Sequence, residues 1–335
     1  MSTIKQVAEL AGVSFKTVSR VINKNGNIRK ETRERVESAI KKLGYIPDIT
    51  ARTMRTGQSQ VIGFITDQIA ITPYAVDVIQ GAQESAWKHN KMLLVVNTFG
   101  RPELDVRSIK MMLERRVEGV IYAAMYHRHI DLPDSLRESK AVLVNCITKG
   151  NALPSVVPDE YLGGKEATEI LLKKGHRRIA FINLPDDSVA AQGRLKGYKA
   201  ALKNHKIEFN PDWVKSGLIR HGLEEDNVSY EVALEILSGA APPTAIFCGN
   251  DRIAMRVYDA IRKMGLKIPE DVAVIGFDNL EVIARNLSPG LSSMALPHRE
   301  MGQWAVNTLL NYSKIKNSGE EHIKIRCPYI VRGSA

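Results

Sequence analysis

Between residues 14 and 23 the chain sets two cations, one aromatic ring and four short polar side chains close together. Lys16 and Arg20 carry donors suited to the O6 and N7 acceptors of guanine, and Phe15 can contact a thymine methyl. Ser14, Thr17, Ser19 and Asn23 are short polar groups of the kind that meet phosphate oxygens. Each alone has a plainer use, Ser14 and Thr17 as helix caps and Arg20 as a solvated charge. As a set on one short segment they describe a surface that reads duplex DNA. Charge points the same way. Residues 1–58 hold 12 Lys and Arg against 5 Asp and Glu, and the rest of the 335 residues hold 35 against 32. Most of the formal net charge of +10 therefore sits in the first sixth of the chain, as expected for a polyanion partner.

Enzymatic chemistry finds little support. No Gly-x-Ser-x-Gly, His-Glu-x-x-His or phosphate-loop pattern occurs, and His298-Arg299-Glu300 is too weak to nominate a catalytic group. Cys146, Cys248 and Cys327 are far apart and form no Cys-x-x-Cys pair, so neither a disulfide framework nor a zinc site is indicated. A reducing, cytoplasmic setting is expected, with no cofactor and no metal. The N-terminus lacks a signal-peptide stretch, and no run approaches the roughly 18 apolar residues of a membrane span.

The elements that must position the DNA-facing residues are three short helices over residues 3–43. Thr3 and Gln6 form a capping-box pattern, and Ile4, Val7, Ala8 and Ala11 share one helical face. Gly12-Val13-Ser14 is a tight turn between the first two helices, the helix-turn-helix signature. The third helix runs from about Lys30 to Leu43 and stops at Gly44. Pro47 to Gly57 follows with a cap at Asp48, about nine helical residues. So short a helix is marginal alone and should form only when something else orders it.

From Val61 the period changes. Apolar runs at 61–66, 92–98, 119–124, 141–146, 178–183, 244–250 and 272–279 alternate with amphipathic stretches at 76–89, 103–116, 161–174, 194–204, 252–264 and 298–312. That alternation predicts parallel sheets covered by helices on both faces. The length predicts two doubly wound subdomains, with ligand beyond the carboxyl ends of the strands.

The segment Thr3-Ile4-Lys5-Gln6-Val7-Ala8 through Val18-Ser19-Arg20-Val21-Ile22-Asn23 resembles the headpiece of the lactose-repressor (LacI/GalR) family. Gly44-Tyr45-Ile46-Pro47, Ala51-Arg52-Thr53-Met54-Arg55, Lys174-Gly175-His176, Gly193-Arg194-Leu195-Lys196-Gly197, Gly249-Asn250-Asp251 and Gly276-Phe277-Asp278-Asn279 fall at the family's spacing. The resemblance covers essentially the whole chain. It implies an all-α helix-turn-helix headpiece (residues 1–46), a hinge (47–58) and a periplasmic-binding-protein-like α/β core (59–335). The core would split into one subdomain at about 59–157 and 290–317, and a second at about 160–287 and 320–335.

The same resemblance implies a homodimeric repressor on double-stranded operator DNA. The hinge helices would pair in the minor groove with Met54, where the family usually has Leu, wedged into a base step between Arg52 and Arg55. Thr3, Arg29, Thr32, Tyr45 and Ala51 complete the implied DNA-facing set. Arg29 stands where the family often has a capping Ser, so the third helix starts less firmly or Arg29 adds a phosphate contact. In the core, the implied effector residues are Arg194, Asp278, Asn250, Asp159 and Tyr74. Asp278 also reads as a turn residue, Asp159 as a helix cap and Tyr74 as core packing. Carboxylates, an amide and one arginine suit a polyhydroxyl ligand better than a phosphate dianion.

Tyr45 to Arg52, Thr72 to Asp77, Arg128 to Pro133, Ala152 to Ser155 and Cys327-Pro328 are similar to sucrose operon repressors, implying sucrose, fructose or a relative as inducer. The alternatives are a global or purine-type regulator using a corepressor and, further off, a sugar-binding protein without a DNA role.

Overall fold

The computed structural model describes residues 2–23, 25–46, 57–131, 133–150, 153–221, 224–315 and 321–335. The chain forms two compact units, residues 1–59 and 60–335. Among the described residues no helix is long and apolar enough to cross a membrane.

The first unit holds α1 (Ile4–Ala11), α2 (Phe15–Ile22) and α3 (Lys30–Leu43). Thr3 Oγ1 accepts from the Gln6 amide at 3.3 Å, and Gln6 Oε1 accepts from the Thr3 amide at 2.8 Å, closing the capping box. Gly12, with φ +62°, ends α1 in the left-handed conformation that lets α2 turn away sharply. Val7, Ala8, Ala11, Val18, Val21, Val36 and Ala39 bury against one another as the core. Arg29 precedes α3 without a side-chain cap, which agrees with the weaker start.

The second unit contains two six-stranded sheets. The first combines β1 (Val61–Thr66), β2 (Met92–Asn97), β3 (Val120–His129), β4 (Ala141–Ile147), β5 (Ser155–Pro158) and β13 (His322–Ile325), in the order β13-β5-β4-β3-β1-β2. Its pairings are parallel. Helices α4 (Val76–Lys88), α5 (Pro102–Glu114) and α10 (His298–Leu310) cover it, with separate apolar clusters on its two faces.

The second sheet combines β6 (Ile179–Asn183), β7 (Val214–Ser216), β10 (Ala245–Cys248), β11 (Ala273–Asp278), β12 (Ser292–Ala295) and β14 (Tyr329–Ile330). The order is β14-β12-β11-β10-β6-β7, parallel except for β14. It lies among α6 (Glu160–Lys173), α7 (Val189–Asn204), α8 (Ser229–Leu237) and α9 (Asp251–Lys263). A two-stranded hairpin, β8 (Leu218–His221) with β9 (Glu224–Asn227), stands apart.

The expected subdomain boundaries need correction near the C-terminus. Residues 290–317 are expected in the first lobe, and α10 packs there, yet β12 pairs in register with β11 of the second sheet. Residues 320–335 were assigned to the second, yet β13 pairs with β5 of the first. The chain therefore passes between lobes around 158–160, 295–298 and 325–329. Strands of four residues and two residues carry too little periodicity to be assigned to a sheet.

Helices α6 and α7 pack backbone to backbone. A Cβ on Gly197 would fall 2.1 Å from the Tyr161 carbonyl oxygen, and one on Gly164 2.3 Å from that of Arg194. This close approach sets Arg194, on α7, against the first turn of α6.

Candidate functional site

On α2 the valines at 18 and 21 face the core. Phe15, Lys16, Ser19 and Arg20 fall at i, i+1, i+4 and i+5, which places them together on another face. Phe15, Lys16 and Arg20 are exposed, Phe15 by 61%. Phe15 thus stands exposed on the face that carries Lys16 and Arg20, away from the headpiece core. Ser14 is occupied locally: its Oγ accepts from the Thr17 amide at 3.2 Å and lies 3.0 Å from Thr17 Oγ1. Asn23 Nδ2 donates to the Ser19 carbonyl. These three act first as helix-end bonds, with exposed Ser14 keeping an outward aspect. Thr3 and Arg29 are exposed, and Thr32 and Tyr45 are half-buried. Ala51, Arg52, Met54 and Arg55 lie outside the described residues.

In the core unit a cavity of about 230 Å³ opens at the carboxyl ends of both sheets, where the lobes meet. Arg194 lines it and is 2% exposed. Its Nε donates to Glu160 Oε2 at 2.7 Å, its Nη1 donates to the Gly249 carbonyl, and Asp278 Oδ1 lies 3.9 Å from Nη1. The guanidinium carbon stands 3.6 Å over the Phe277 ring, so the plane is held by stacking as well as by hydrogen bonds. Burial works against the charge on Arg194, but Glu160 and Asp278 outweigh it and raise the pKa.

The two carboxyls differ. Burial pushes Glu160 up, yet Arg194 and then His127 hold it below the usual carboxylate range. Asp278 is pushed well above that range by burial, with Asp251 and Glu160 adding to the effect against Arg194. Glu160 is thus the counter-ion of Arg194, while Asp278 is driven toward a carboxyl that both donates and accepts. Asp278 has φ +104° and Asn279 φ +55°, a strained turn at the end of β11. The Tyr74 hydroxyl donates to Asp278 Oδ1 at 3.4 Å, bridging the lobes. Its ring lies 5.6 Å from those of Tyr126 and His298.

Of the expected effector residues, Arg194, Asp278, Tyr74 and Asn250 line the cavity. Asn250 also caps α9, its Oδ1 accepting from the Ile253 amide at 2.8 Å. Asp159 is not a cavity residue. Its Oδ1 accepts from the Leu162 amide at 3.0 Å and caps α6, and the cavity position belongs to the next residue, Glu160.

Sequence reasoning also missed His127 and Asn145. The β3–β4 register shifts between Ala123 and Arg128, a bulge that leaves backbone carbonyls outside the ladder. Asn145 Nδ2 takes two of them, Ala124 at 3.1 Å and Met125 at 2.9 Å. A lone amide inside the apolar run Ala141–Cys146 was the available signal for this site. At the mouth, Arg220 pairs with Asp187 at 2.9 Å and with Glu225 at 3.3 Å, and Arg252 lies 3.8 Å from Glu225, so two carboxylates face the two cations.

One chain thus carries both a helix-turn-helix and a polar cavity between two doubly wound lobes. A family model described as bacterial regulatory proteins of the lacI family matches residues 3–48, and one described as periplasmic binding proteins and sugar binding domain of the LacI family matches residues 59–332. The chain belongs to the LacI family. The sucrose operon repressor of Escherichia coli is 33% identical over 339 residues, covering 100% of both chains. The PurR repressor of Histophilus somni strain 129Pt is 32% identical, covering 100% of this chain and 99% of its own. The lac repressor dimer bound to operator and the anti-inducer ONPF is 25% identical with a TM-score of 0.77, covering 99% of this chain and 98% of that one. The LacI-family chain is a DNA-binding transcriptional repressor and not an enzyme.

Proposed function

We propose that this protein is a sugar-released repressor of carbohydrate-utilisation genes, acting as a homodimer on a pseudo-palindromic operator. One observation carries the sugar reading. The cavity's only buried guanidinium among the described residues is already paired with Glu160, and a second carboxyl, Asp278, faces it. A phosphate dianion would meet those acidic groups, while the cavity's other two arginines, Arg220 and Arg252, are already paired with Asp187 and Glu225. A polyhydroxyl ligand meets alternating donors and acceptors and an aromatic ring, Tyr74, for its apolar face. Sucrose or fructose is the proposed ligand, supported by the similarity to sucrose operon repressors.

Two headpieces related by the dimer axis would place α2 in successive major grooves, Lys16 and Arg20 on base edges and Phe15 on a methyl. Sugar that favours one lobe arrangement weakens operator binding, and by linkage binds more weakly to the operator complex. A thermal-shift screen with sucrose, fructose, glucose and their phosphates identifies the ligand, since saturation at 100 times Kd adds about 2.7 kcal/mol of apparent stability. Fluorescence anisotropy on an operator fragment then gives the direction. Release by the stabilising sugar supports induction, and tighter binding overturns it in favour of a corepressor, a reading for which the near-equal identity to PurR supplies the ground.

A further inference from the structure

His127 sits on the β3 bulge, with its side chain 8% exposed, and lines the cavity. Its Nδ1 lies 3.3 Å from Glu160 Oε1, so a first-lobe side chain meets the second-lobe carboxylate that already holds Arg194. Its Nε2 is buried and finds no partner among the described residues. A buried imidazole nitrogen without a partner is costly. It persists where a ligand completes it.

The geometry points to His127 as a specificity-determining residue of the effector cavity, one that accepts a hydrogen bond from a single ligand hydroxyl at Nε2 while Nδ1 stays on Glu160. This rests on the sugar reading above and names one subsite within it. The direction of the bond follows from the partner. Arg194 holds Glu160 below the usual carboxylate range, so Nδ1 carries the proton and donates to it, and in the neutral ring Nε2 is the acceptor. Nε2 therefore selects a group that donates. A hydroxyl satisfies it, and a deoxy position or a fluorine does not. The bound hydroxyl completes a chain through His127 and Glu160 to Arg194 that crosses from one lobe to the other. Occupancy and lobe closure are tied at one side chain.

The test separates the two ring nitrogens. In His127→Asn the amide reaches Glu160 but nothing stands at Nε2, and in His127→Gln the amide reaches the Nε2 position and leaves Glu160. Fructose and sucrose, with their monodeoxy and deoxyfluoro analogues, are titrated calorimetrically into the full-length protein. The expected result is that His127→Asn loses about tenfold in affinity for the parent sugar. One analogue position costs the wild type about tenfold, equally for hydrogen and fluorine, and costs His127→Asn nothing. His127→Gln keeps the discrimination at that position, which a purely structural role would not predict. Wild-type affinity in His127→Asn, or an undiminished penalty at every analogue position, overturns the assignment. Should His127→Asn not fold, His127→Gln decides by keeping or losing the discrimination. If neither sugar binds the wild type, the sugar reading itself fails, a different outcome from a wild type that binds and a variant that binds equally well.

Discussion

Removing Arg194 should harm the core more than removing its counter-ion Glu160, although the two share one hydrogen bond. At an effective dielectric of about 20, the Arg194–Glu160 attraction at 2.7 Å is worth about 6 kcal/mol, and the Arg194–Asp278 attraction at 3.9 Å about 4. In Glu160→Gln the guanidinium keeps a second carboxyl in reach. Asp278 also loses the Glu160 charge that, after burial and Asp251, raises its pKa, so it ionises more readily against Arg194. The net cost is the difference, about 2 kcal/mol. In Arg194→Met no cation of comparable burial remains beside Glu160 among the described residues, and Glu160 is left as an uncompensated buried charge, a loss of about 3–5 kcal/mol. The double variant Arg194→Met with Glu160→Gln should recover about 1–3 kcal/mol relative to Arg194→Met alone. Urea unfolding at pH 7 followed by tryptophan fluorescence reads this directly, because Trp87, Trp213 and Trp304, the chain's three tryptophans, all lie in the core unit. If Glu160→Gln proves the more damaging single change, or the double loss equals the sum of the singles, the pairing is not what holds this centre together.

Three further outcomes are expected. Gly302→Ala forces a Cβ to within 2.1 Å of the Val78 carbonyl oxygen, where α10 meets α4, and should destabilise the core by about 1–3 kcal/mol in the same urea assay. Arg20→Ala should relax discrimination between operator and mutated half-sites, whereas Arg29→Ala should weaken all DNA about equally and flatten the salt slope by about one; filter binding across a salt series separates the two. His298 is buried, which lowers its pKa from 6.5 to about 4, so the folded state resists a proton that the unfolded chain accepts. The stability tied to its neutral form is complete above pH 6.5 and lost as pH falls toward 4, about 3 kcal/mol in all, and the gap between wild type and His298→Phe measured at pH 7 and pH 4 should move by that amount in the variant's favour.

Much of the architecture was legible because buried parallel strands are nearly continuous apolar runs. The helices expected at 76–89, 103–116, 161–174, 252–264 and 298–312 form at 76–88, 102–114, 160–173, 251–263 and 298–310. Fragments too short to show a period escaped, namely β5, β7, β12, β13, β14 and the hairpin of β8 with β9. The nine-residue α8 was missed as well. At the site, Arg194 and Asp278 were readable through the glycine-bearing motifs that carry the family resemblance, and those glycines have a structural reason. Gly193 and Gly197 admit no side chain against α6, and a Cβ at Gly276 would meet Asp251 Oδ1 at 2.3 Å. Asp159 misled by one position. An aspartate after a strand-ending proline at a lobe crossing suits both a cap and a ligand, and only three-dimensional structure shows that the cap takes it. His127 was illegible because its placement depends on a bulge, and a bulge leaves no mark in hydrophobic periodicity.

The division of labour across the cavity bears on how such a repressor can switch. Its ionic centre lies in the second lobe: Glu160 on α6, Arg194 on α7 and Asp278 on β11. From the first lobe, Pro73, Tyr74, Met125, Tyr126, His127 and Asn145 line the cavity, without a carboxylate, lysine or arginine among these described residues. The lobes touch there through the Tyr74–Asp278 and His127–Glu160 hydrogen bonds. Each such bond is worth about 1 kcal/mol net, so rearranging both moves an equilibrium by about 2 kcal/mol, within the 1–3 kcal/mol typical of coupling between two binding sites. Had the ion pair itself spanned the lobes, opening would have exposed an unpaired charge at a cost no single sugar could offset. Confining it to one lobe leaves only hydrogen bonds at the boundary, and a ligand's hydroxyls can compete for the Tyr74–Asp278 bond or extend the His127–Glu160 bond at that scale of energy.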